Sequence, residues 1–279
     1  MKKNGGKNQE FHPKRALGQN FLTDDALFQQ LVDLSQVGAQ DAVLEIGAGA
    51  GGMTKALSSR CRQVIAIEVD GTLLPILRVA LEKCKNVQLV HGDVLRLNLP
   101  QLTQPLGPFH IVANIPYYLT TDLMNLLLTS DMPIASISVM VQKEAAQRMV
   151  ARPGEEGYGM LAVRCQYFFD PAIVLDVPAC LFTPPPKVDS AFVVMKRRSM
   201  PPVQALDEGM FFKTASAAFA MRRKTMENNL IASFRTDRET ARKWLEGAQI
   251  KPGARGETLS LSDFAALSNV IIQENGQEK

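Results

Sequence analysis

The feature that most constrains the fold is an alternation, between residues 42 and 141, of short β-branched runs with segments of helical character. The runs with the composition of buried strands are Ala42–Ile46, Val64–Glu68, Val87–His91, Ile111–Ala113 and Ile137–Val141. Helical segments such as Gly71–Lys83 and Thr121–Thr129 separate them. Because strands that alternate with helices build βαβ units, the sequence predicts an α/β fold with a mostly parallel, doubly wound, Rossmann-like sheet.

Further elements are predicted on both sides of this alternation. An amphipathic helix is expected from Asp24 onward, with Thr23 as its N-cap. Two β-like runs, Met160–Phe168 and Ser190–Lys196, flank a proline-rich loop and are predicted to pair as an antiparallel edge hairpin. The segments of helical character that follow are Phe211–Ala220, Lys224–Ser233, Arg238–Ala248 and Ser262–Ile272.

The change of pattern near Met200 predicts how the chain divides. We expect a sheet domain over residues 16–200 and a small, all-helical C-terminal domain over 201–279 that packs on it. Residues 1–15 are expected to form a basic, partly disordered arm, because five lysines and arginines face only two acids up to Asp24. This segment accounts for the whole net charge of +3, a bias too small to identify a nucleic-acid partner.

The charge pattern and the spacing of cysteines and histidines disfavour several classes of protein. No apolar segment follows the early lysines, and the longest uncharged stretch, Leu97–Thr121, contains four prolines. We therefore expect a soluble, cytoplasmic protein without a signal peptide or a membrane partner. The four cysteines and three histidines are widely spaced, so neither a metal site nor a disulfide framework is predicted.

A glycine-rich loop follows the first of the alternating strands. In Leu44-Glu-Ile-Gly-Ala-Gly-Ala-Gly-Gly52, the glycines permit a tight turn and let a ligand approach backbone amides at the start of a helix. Gly47, Gly49 and Gly52 also satisfy the dinucleotide pattern G-x-G-x-x-G, so this motif alone leaves a nicotinamide enzyme open.

Two acidic residues near the glycine loop indicate more closely which ligand binds. Glu68 ends the second strand of the alternation, where a carboxylate can accept hydrogen bonds from both ribose hydroxyls. Asp93 follows the third strand, where it can accept from the amine of an adenine. The glycine loop has no basic residue for a pyrophosphate, so S-adenosylmethionine fits this adenosine pocket better than NAD.

The motif Asn114-Ile-Pro-Tyr117 ends the fourth strand, at the edge where open α/β sheets place their chemistry. The amine of adenine is a poor nucleophile because its lone pair is delocalised. The Asn114 side-chain oxygen and the Ile115 carbonyl could accept its two N–H groups and localise the lone pair. Pro116 would keep the loop rigid and Tyr117 would stack on the base.

Five motifs occur in an order that resembles the bacterial small-subunit (16S) ribosomal RNA adenine dimethyltransferases, the KsgA/RsmA family. They are Ala16–Leu22, Leu44–Gly49, Asn114–Tyr117, Phe182–Ser190 and Arg222–Thr225, and the likeness covers nearly the whole chain. The resemblance implies an S-adenosylmethionine-dependent methyltransferase sheet in residues 16–200. It also implies dimethylation of the N6 amines of two adjacent adenines in the 3′-terminal hairpin of 16S ribosomal RNA, within the assembling small subunit.

The resemblance also assigns residues. Asn20 and Leu22 match family positions that close over the cofactor, while Gly47, Gly49, Glu68, Asp93 and Asn114 match its other contacts. Asn114, Ile115, Pro116 and Tyr117 match the catalytic motif, and Phe182 matches an aromatic that sandwiches the flipped adenine against the tyrosine.

The basic residues expected to contact RNA phosphates lie in four places: Lys14 and Arg15; Lys187; Arg197, between Lys196 and Arg198; and Arg222, Arg223 and Lys224. If these clusters share a face with the catalytic loop, they would form a groove that reads the RNA backbone. The expected partner is 16S ribosomal RNA in the small subunit, with no DNA, and the chain is expected to act as a monomer.

One segment departs from the family pattern. Tyr118-Leu-Thr-Thr-Asp122 replaces the more usual small or polar residue after the tyrosine and a proline near Asp122. Its threonine-aspartate pair is similar to the erythromycin-resistance methyltransferases, which dimethylate an adenine of large-subunit (23S) RNA. That target therefore stays an alternative, as does an assembly factor that acts mainly by binding.

Overall fold

A seven-stranded sheet forms the centre of the computed structural model, which describes residues 20–277. The strands of the chain are β1 (Phe21–Leu22), β2 (Ala42–Ile46), β3 (Gln63–Glu68), β4 (Val87–His91), β5 (Phe109–Asn114), β6 (Ile134–Gln142), β7 (Phe169–Val177), β8 (Phe182–Thr183) and β9 (Ser190–Arg197). The sheet has the order β4-β3-β2-β5-β6-β9-β7. All its pairs are parallel except those that β9 makes with β6 and β7, which confirms the predicted α/β, Rossmann-like fold class.

Helices cover both faces of this sheet. The helices are α1 (Asp25–Ser35), α2 (Gly52–Arg60), α3 (Leu74–Ala80), α4 (Leu99–Thr103), α5 (Thr120–Leu128), α6 (Lys143–Val150), α7 (Met160–Phe168), α8 (Glu208–Ala220), α9 (Met226–Phe234), α10 (Arg238–Gly247) and α11 (Leu261–Gln277). Residues of α1, α2 and α3 share one hydrophobic core with one face of the sheet, and α4, α5 and α6 share another with the opposite face. Burial on both faces explains why β2 is apolar at four of its five positions instead of alternating.

The first helix begins one residue later than predicted. Asp24, not Thr23, is the N-cap of α1, because its side chain accepts hydrogen bonds from the backbone N–H groups of Ala26 and Leu27, at 2.8 and 3.3 Å. Other boundaries differ by a few residues: α3 is shorter than the predicted Gly71–Lys83, whereas β5 and β6 are longer than their predicted cores.

The segment Met160–Phe168 is a helix, α7, so its prediction as a strand was wrong. A mainly apolar segment fits a buried helix as well as a strand, and here Val163 and Tyr167 pack into the core of the C-terminal helices. The predicted hairpin between Met160–Phe168 and Ser190–Lys196 was therefore wrong. The strand that pairs antiparallel with β9 is instead the next segment, β7.

The last four helices, α8 to α11, form a third hydrophobic core that includes Phe211, Trp244 and Phe264. Helix α7 contributes to this core and contacts α8, so the helical region packs on the sheet region through α7. Across residues 20–277, no helix combines the length and the apolar character that a membrane span requires.

Candidate active site

A cavity of about 280 Å³ opens at the carboxyl edge of the parallel strands. The residues predicted to form the site and found in its lining are Asn20, Gly47, Gly49, Glu68, Asp93, Asn114, Ile115, Pro116, Tyr117 and Phe182. Gly47, Gly49, Glu68, Asp93 and the segment 114–117 end or follow the four strands β2 to β5, and they meet because parallel strands bring their carboxyl ends to one edge. Asn20 precedes β1, and Phe182 begins β8. None of the described residues that line the cavity is Lys, Arg or His.

The glycine loop between β2 and α2 forms one wall. Gly47 and Gly49 have φ angles of +83° and +56°, which lie in the left-handed region that favours glycine. The N–H of Gly47 donates to the carbonyl of Ile67 at 2.9 Å, which fixes the loop against β3. A Cβ at Gly49 would lie 3.3 Å from the Phe21 ring, so the missing side chain also lets that ring close against the loop.

Glu68 at the end of β3 connects two parts of this wall. One carboxylate oxygen accepts from the N–H of Gly49 and the other from the N–H of Asp70, both at 2.8 Å. The side chain is buried, and desolvation raises the pKa of this carboxyl above its ordinary value. Each oxygen keeps a further lone pair, so Glu68 can support the glycine loop and still accept a hydrogen bond from a ligand.

Asp93 lies two residues after β4, on the side of the cavity opposite the catalytic loop. Its Oδ1 accepts from the N–H of Leu95 at 3.0 Å, which orients the carboxylate. The preceding Gly92 donates its N–H to the carbonyl of Glu68 at 2.9 Å, so the two acids are held in a fixed relation. The Oδ2 atom of Asp93 also lies 3.5 Å from Nε of Arg96, whose exposed side chain is outside the cavity lining. The lining itself holds two carboxylates and no basic side chain, so the cavity favours a cationic or neutral ligand over a pyrophosphate.

The catalytic motif follows β5 without a break. The N–H of Ile115 donates to the carbonyl of Met140 on β6 at 3.1 Å, and Tyr117 begins a short 3-10 helix that leads into α5. The Tyr117 hydroxyl lies 2.9 Å from the Ser190 hydroxyl, and desolvation raises the pKa of this phenol. The side chains of the motif are therefore anchored by two neighbouring strands, β6 and β9.

Phe182 enters the cavity from the opposite side. It begins β8, which forms a two-residue antiparallel ladder with β1, and Phe182 pairs with Leu22. The structure does not place Leu22 in the cavity lining: its side chain is buried in the core beside α1. The neighbouring Phe21 lines the cavity instead, because successive side chains of an extended segment point in opposite directions.

The predicted RNA-contacting residues lie in different regions. Lys14 and Arg15 are outside the described residues. Arg222, Arg223 and Lys224 are exposed in the turn between α8 and α9, just before Thr225, the N-cap of α9. Lys187 is exposed in the loop that connects β8 to β9.

Arg197 is not at the catalytic edge. Because β9 runs antiparallel to β6, its first residue, Ser190, pairs beside the catalytic loop, and Arg197 lies at the opposite edge, about 20 Å away. Its Nε donates to the carbonyl of Ile134 at 2.6 Å, and its guanidinium lies 4.8 Å from the ring centroid of Phe169. The expectation that the basic run 196–198 shares a face with the catalytic loop was therefore wrong.

The sequence analysis did not single out several residues of the site. Among them, Phe21 and Tyr118 line the cavity, and Ser190 contacts Tyr117. Phe21 and Ser190 each lie inside a motif that was recognised, but nothing in the sequence pattern distinguishes the residue that faces the cavity. No group of three His, Cys, Asp or Glu side chains within residues 20–277 is arranged to hold a metal ion.

Comparisons with known proteins agree with this geometry. The family model described as "Ribosomal RNA adenine dimethylase" matches residues 10–273. Two similar curated proteins are named "Ribosomal RNA small subunit methyltransferase A". The one from Enterococcus faecalis is 41% identical and covers 97% of this chain and 92% of its own length. The one from Geobacillus thermodenitrificans is 40% identical and covers 94% and 92%.

Solved structures give the same result. The 23S rRNA methyltransferase ErmE has a TM-score of 0.71 at 26% identity, covering 91% of this chain and 100% of its own. A dimethyladenosine transferase from Plasmodium falciparum has a TM-score of 0.77 at 22% identity, covering 92% and 98%, and shows that the fold is shared. The family match over nearly the whole length and the curated relatives near 40% identity lead to one conclusion: the chain belongs to the ribosomal RNA adenine dimethylase family.

Proposed function

We propose that the chain uses S-adenosylmethionine to dimethylate the N6 amines of two adjacent adenines in the 3′-terminal hairpin of 16S ribosomal RNA. The observation that carries this proposal is the joint placement, in one cavity free of basic side chains, of Glu68, Asp93 and the loop Asn114–Tyr117. The names of the curated relatives support the small subunit as the substrate. The reaction takes place in the cytoplasm on the assembling subunit.

The cofactor side of the cavity is formed by the glycine loop and the two acids. Glu68 accepts from the ribose hydroxyls and Asp93 from the adenine amine of the cofactor. Asn20 and the Phe21 ring cover the ligand near Gly49, and Leu22 positions them through its core packing and its pairing with Phe182. The cofactor supplies an electrophilic methyl group on a positively charged sulfur, which two nearby carboxylates favour electrostatically.

The base side is formed by the catalytic motif and Phe182. The Asn114 side-chain oxygen and the Ile115 carbonyl accept the two N–H groups of the target amine, which concentrates its lone pair toward the methyl group. Tyr117 and Phe182 sandwich the flipped base, and Pro116 restricts the loop that carries these groups. Direct displacement of this kind needs no metal and no covalent enzyme intermediate.

RNA outside the cavity is held by exposed cations. Arg222, Arg223, Lys224 and Lys187 contact phosphates. Lys14 and Arg15, outside the described residues, are proposed as further phosphate contacts on their charge alone. Arg197 is left out of this proposal because it lies at the far edge of the sheet. The proposal takes the chain to act as a monomer.

The test is transfer of a labelled methyl group to small subunits from cells that lack the modification, with large-subunit RNA in a parallel reaction. We expect label in two adjacent adenines of 16S RNA and none in large-subunit RNA. Label in a large-subunit adenine would instead favour the second candidate, which rests on the Thr121-Asp122 pair and the similarity to ErmE. Binding to subunits without any transfer would favour an assembly factor.

A variant separates the target base from the cofactor. Tyr117→Ala should lose most methyl transfer and keep its affinity for S-adenosylmethionine within a few-fold, because the ring acts on the base and not on the cofactor. Transfer at close to the wild-type rate by this variant would refute the stacking role of Tyr117.

A further inference from the structure

Tyr118, directly after the catalytic motif, is an unusually exposed aromatic residue: 59% of it is accessible although it lines the cavity. We propose that its ring is a stacking platform for the nucleobase that adjoins the target adenine in the RNA. This inference rests on the proposed function, because it takes the target base to be the one that enters between Tyr117 and Phe182.

The two consecutive tyrosines differ in their surroundings. Tyr117 is half-buried and its hydroxyl contacts Ser190 at 2.9 Å. The Tyr118 side chain, in contrast, makes no hydrogen bond, ring contact or cation–π contact to any residue in the described range 20–277. A single exposed aromatic residue is ordinary on a protein surface. This ring, however, also lines the cavity, where it is accessible to a bound ligand.

The backbone presents this ring on a rigid support. Tyr117–Leu119 form a 3-10 helix, closed by the hydrogen bond from the N–H of Leu119 to the carbonyl of Pro116 at 2.9 Å. With three residues per turn, consecutive side chains project about 120° apart, so the contact of Tyr117 with Ser190 directs Tyr118 elsewhere. Helix α5 follows at once and is fixed by the buried Leu123. The backbone that carries the ring is therefore pre-positioned, which lowers the entropy cost of using it.

Base flipping indicates which group would bind to the Tyr118 ring. When an adenine leaves the stack and enters the cavity, its covalently linked neighbour loses a stacking partner and remains within one nucleotide of the mouth. An exposed tyrosine ring replaces that lost contact. Base–aromatic stacking is worth about five- to 150-fold in affinity per base and accepts every base, with the larger purine rings favoured.

The first experiment measures kcat/KM for methyl transfer to the ribosomal RNA particle that the wild type methylates. Tyr118→Ala should lower kcat/KM by about five- to 150-fold, and Tyr118→Phe should stay within threefold, because the ring and not the hydroxyl stacks. The affinity of both variants for S-adenosylmethionine should be unchanged, which also shows that they fold. Val79→Ala is the control, since Val79 is 77% exposed on α3 and lines no cavity.

Unchanged kcat/KM in Tyr118→Ala would overturn the inference, and so would an equal loss in Tyr118→Phe. The proposed function fails separately, if the wild type does not transfer methyl groups to two adjacent adenines of 16S RNA. A Tyr118→Ala defect beside an inactive Tyr117→Ala supports both proposals.

The second experiment identifies the base that the ring contacts. Particles are prepared in which each of the two nucleotides that flank the pair of target adenines is replaced in turn by uridine, a weaker stacking partner. At one of the two positions, the replacement should lower the rate of methyl transfer by the wild type severalfold and should not change the rate of Tyr118→Ala. Such an energetic coupling between ring and base is expected of a direct contact. Losses of the same factor in both enzymes at both flanks would show that Tyr118 does not stack on a neighbouring base.

Discussion

The hydroxyl of Tyr117 and the hydroxyl of Ser190 lie 2.9 Å apart, although 73 residues separate them in the chain. Ser190 is fully buried at the start of β9, where it pairs with Gln142 of β6 and Val177 of β7. The loop that carries the catalytic motif is thus tied to the antiparallel part of the sheet. This contact holds the Tyr117 hydroxyl against β9, and under the proposed function it sets the plane in which the ring meets the target base.

We predict that Ser190→Ala lowers the rate of methyl transfer by about two- to 12-fold, the range of one neutral hydrogen bond. Tyr117→Phe should have a similar effect because it removes the same bond from the other side. The double variant should be no slower than the slower single one, since both changes delete one interaction. Single-turnover rates on unmodified subunits measure this.

Affinity for S-adenosylmethionine should be the same in all three variants. Fully additive losses in the double variant would mean that the two hydroxyls act independently.

Glu68→Ala should weaken binding of S-adenosylmethionine by about 1.5–3 kcal/mol, the scale of hydrogen bonds to a charged group. The carboxylate has two tasks, because it also accepts from the N–H of Gly49 in the glycine loop. Titration calorimetry measures the effect, and Glu82→Ala, on an exposed glutamate outside the cavity, is the control. A dissociation constant like that of the wild type would contradict the ribose assignment.

Replacing Arg222, Arg223 and Lys224 by alanine should weaken binding to the small subunit and reduce its dependence on salt. If each side chain contacts a phosphate, the log–log slope should fall by about three, or about two for single-stranded RNA. The matched control replaces Lys55, Lys83 and Lys85, which are also exposed and carry the same charge. An equal change of slope in both triple variants would show that only net charge matters.

We expect the buried Glu45 on β2 to make the free energy of unfolding depend on pH. Its carboxylate is almost fully buried, neither oxygen has a hydrogen-bond partner within the described part of the chain, and desolvation raises its pKa from 4.5 to about 8. Between those pH values the unfolded chain ionises and the folded one does not, so this group lowers the stability as pH rises. The free energy of unfolding of Glu45→Gln, relative to that of the wild type, should therefore increase by about 1–4 kcal/mol between pH 4.5 and pH 8.

Denaturant unfolding of both proteins at several pH values tests this. Glu246→Gln, on an exposed side chain of α10, should show no such trend relative to the wild type. A stability difference between Glu45→Gln and the wild type that does not depend on pH would mean that Glu45 does not remain protonated in the fold.

The sequence determined the fold class and the residues at the strand ends. Glu68, Asp93 and Asn114 were predicted to meet because each ends or follows a strand of a parallel sheet, and such strands all present their carboxyl ends at one edge. The left-handed turns of the glycine loop also follow from the residue type. These are local properties, fixed by side-chain size and backbone preference.

Only the tertiary structure decided which distant residues touch and which way they face. The antiparallel direction of β9 places Ser190 beside Tyr117 and Arg197 at the far edge of the sheet. The amino-acid composition of a strand does not reveal whether it runs parallel or antiparallel to its neighbour. The segment of α7 was predicted as a strand because a short, mainly apolar segment fits either element, and packing against the C-terminal helices selected the helix. Both outcomes depend on contacts between residues that are far apart in the chain, and a local sequence pattern carries no information about such contacts.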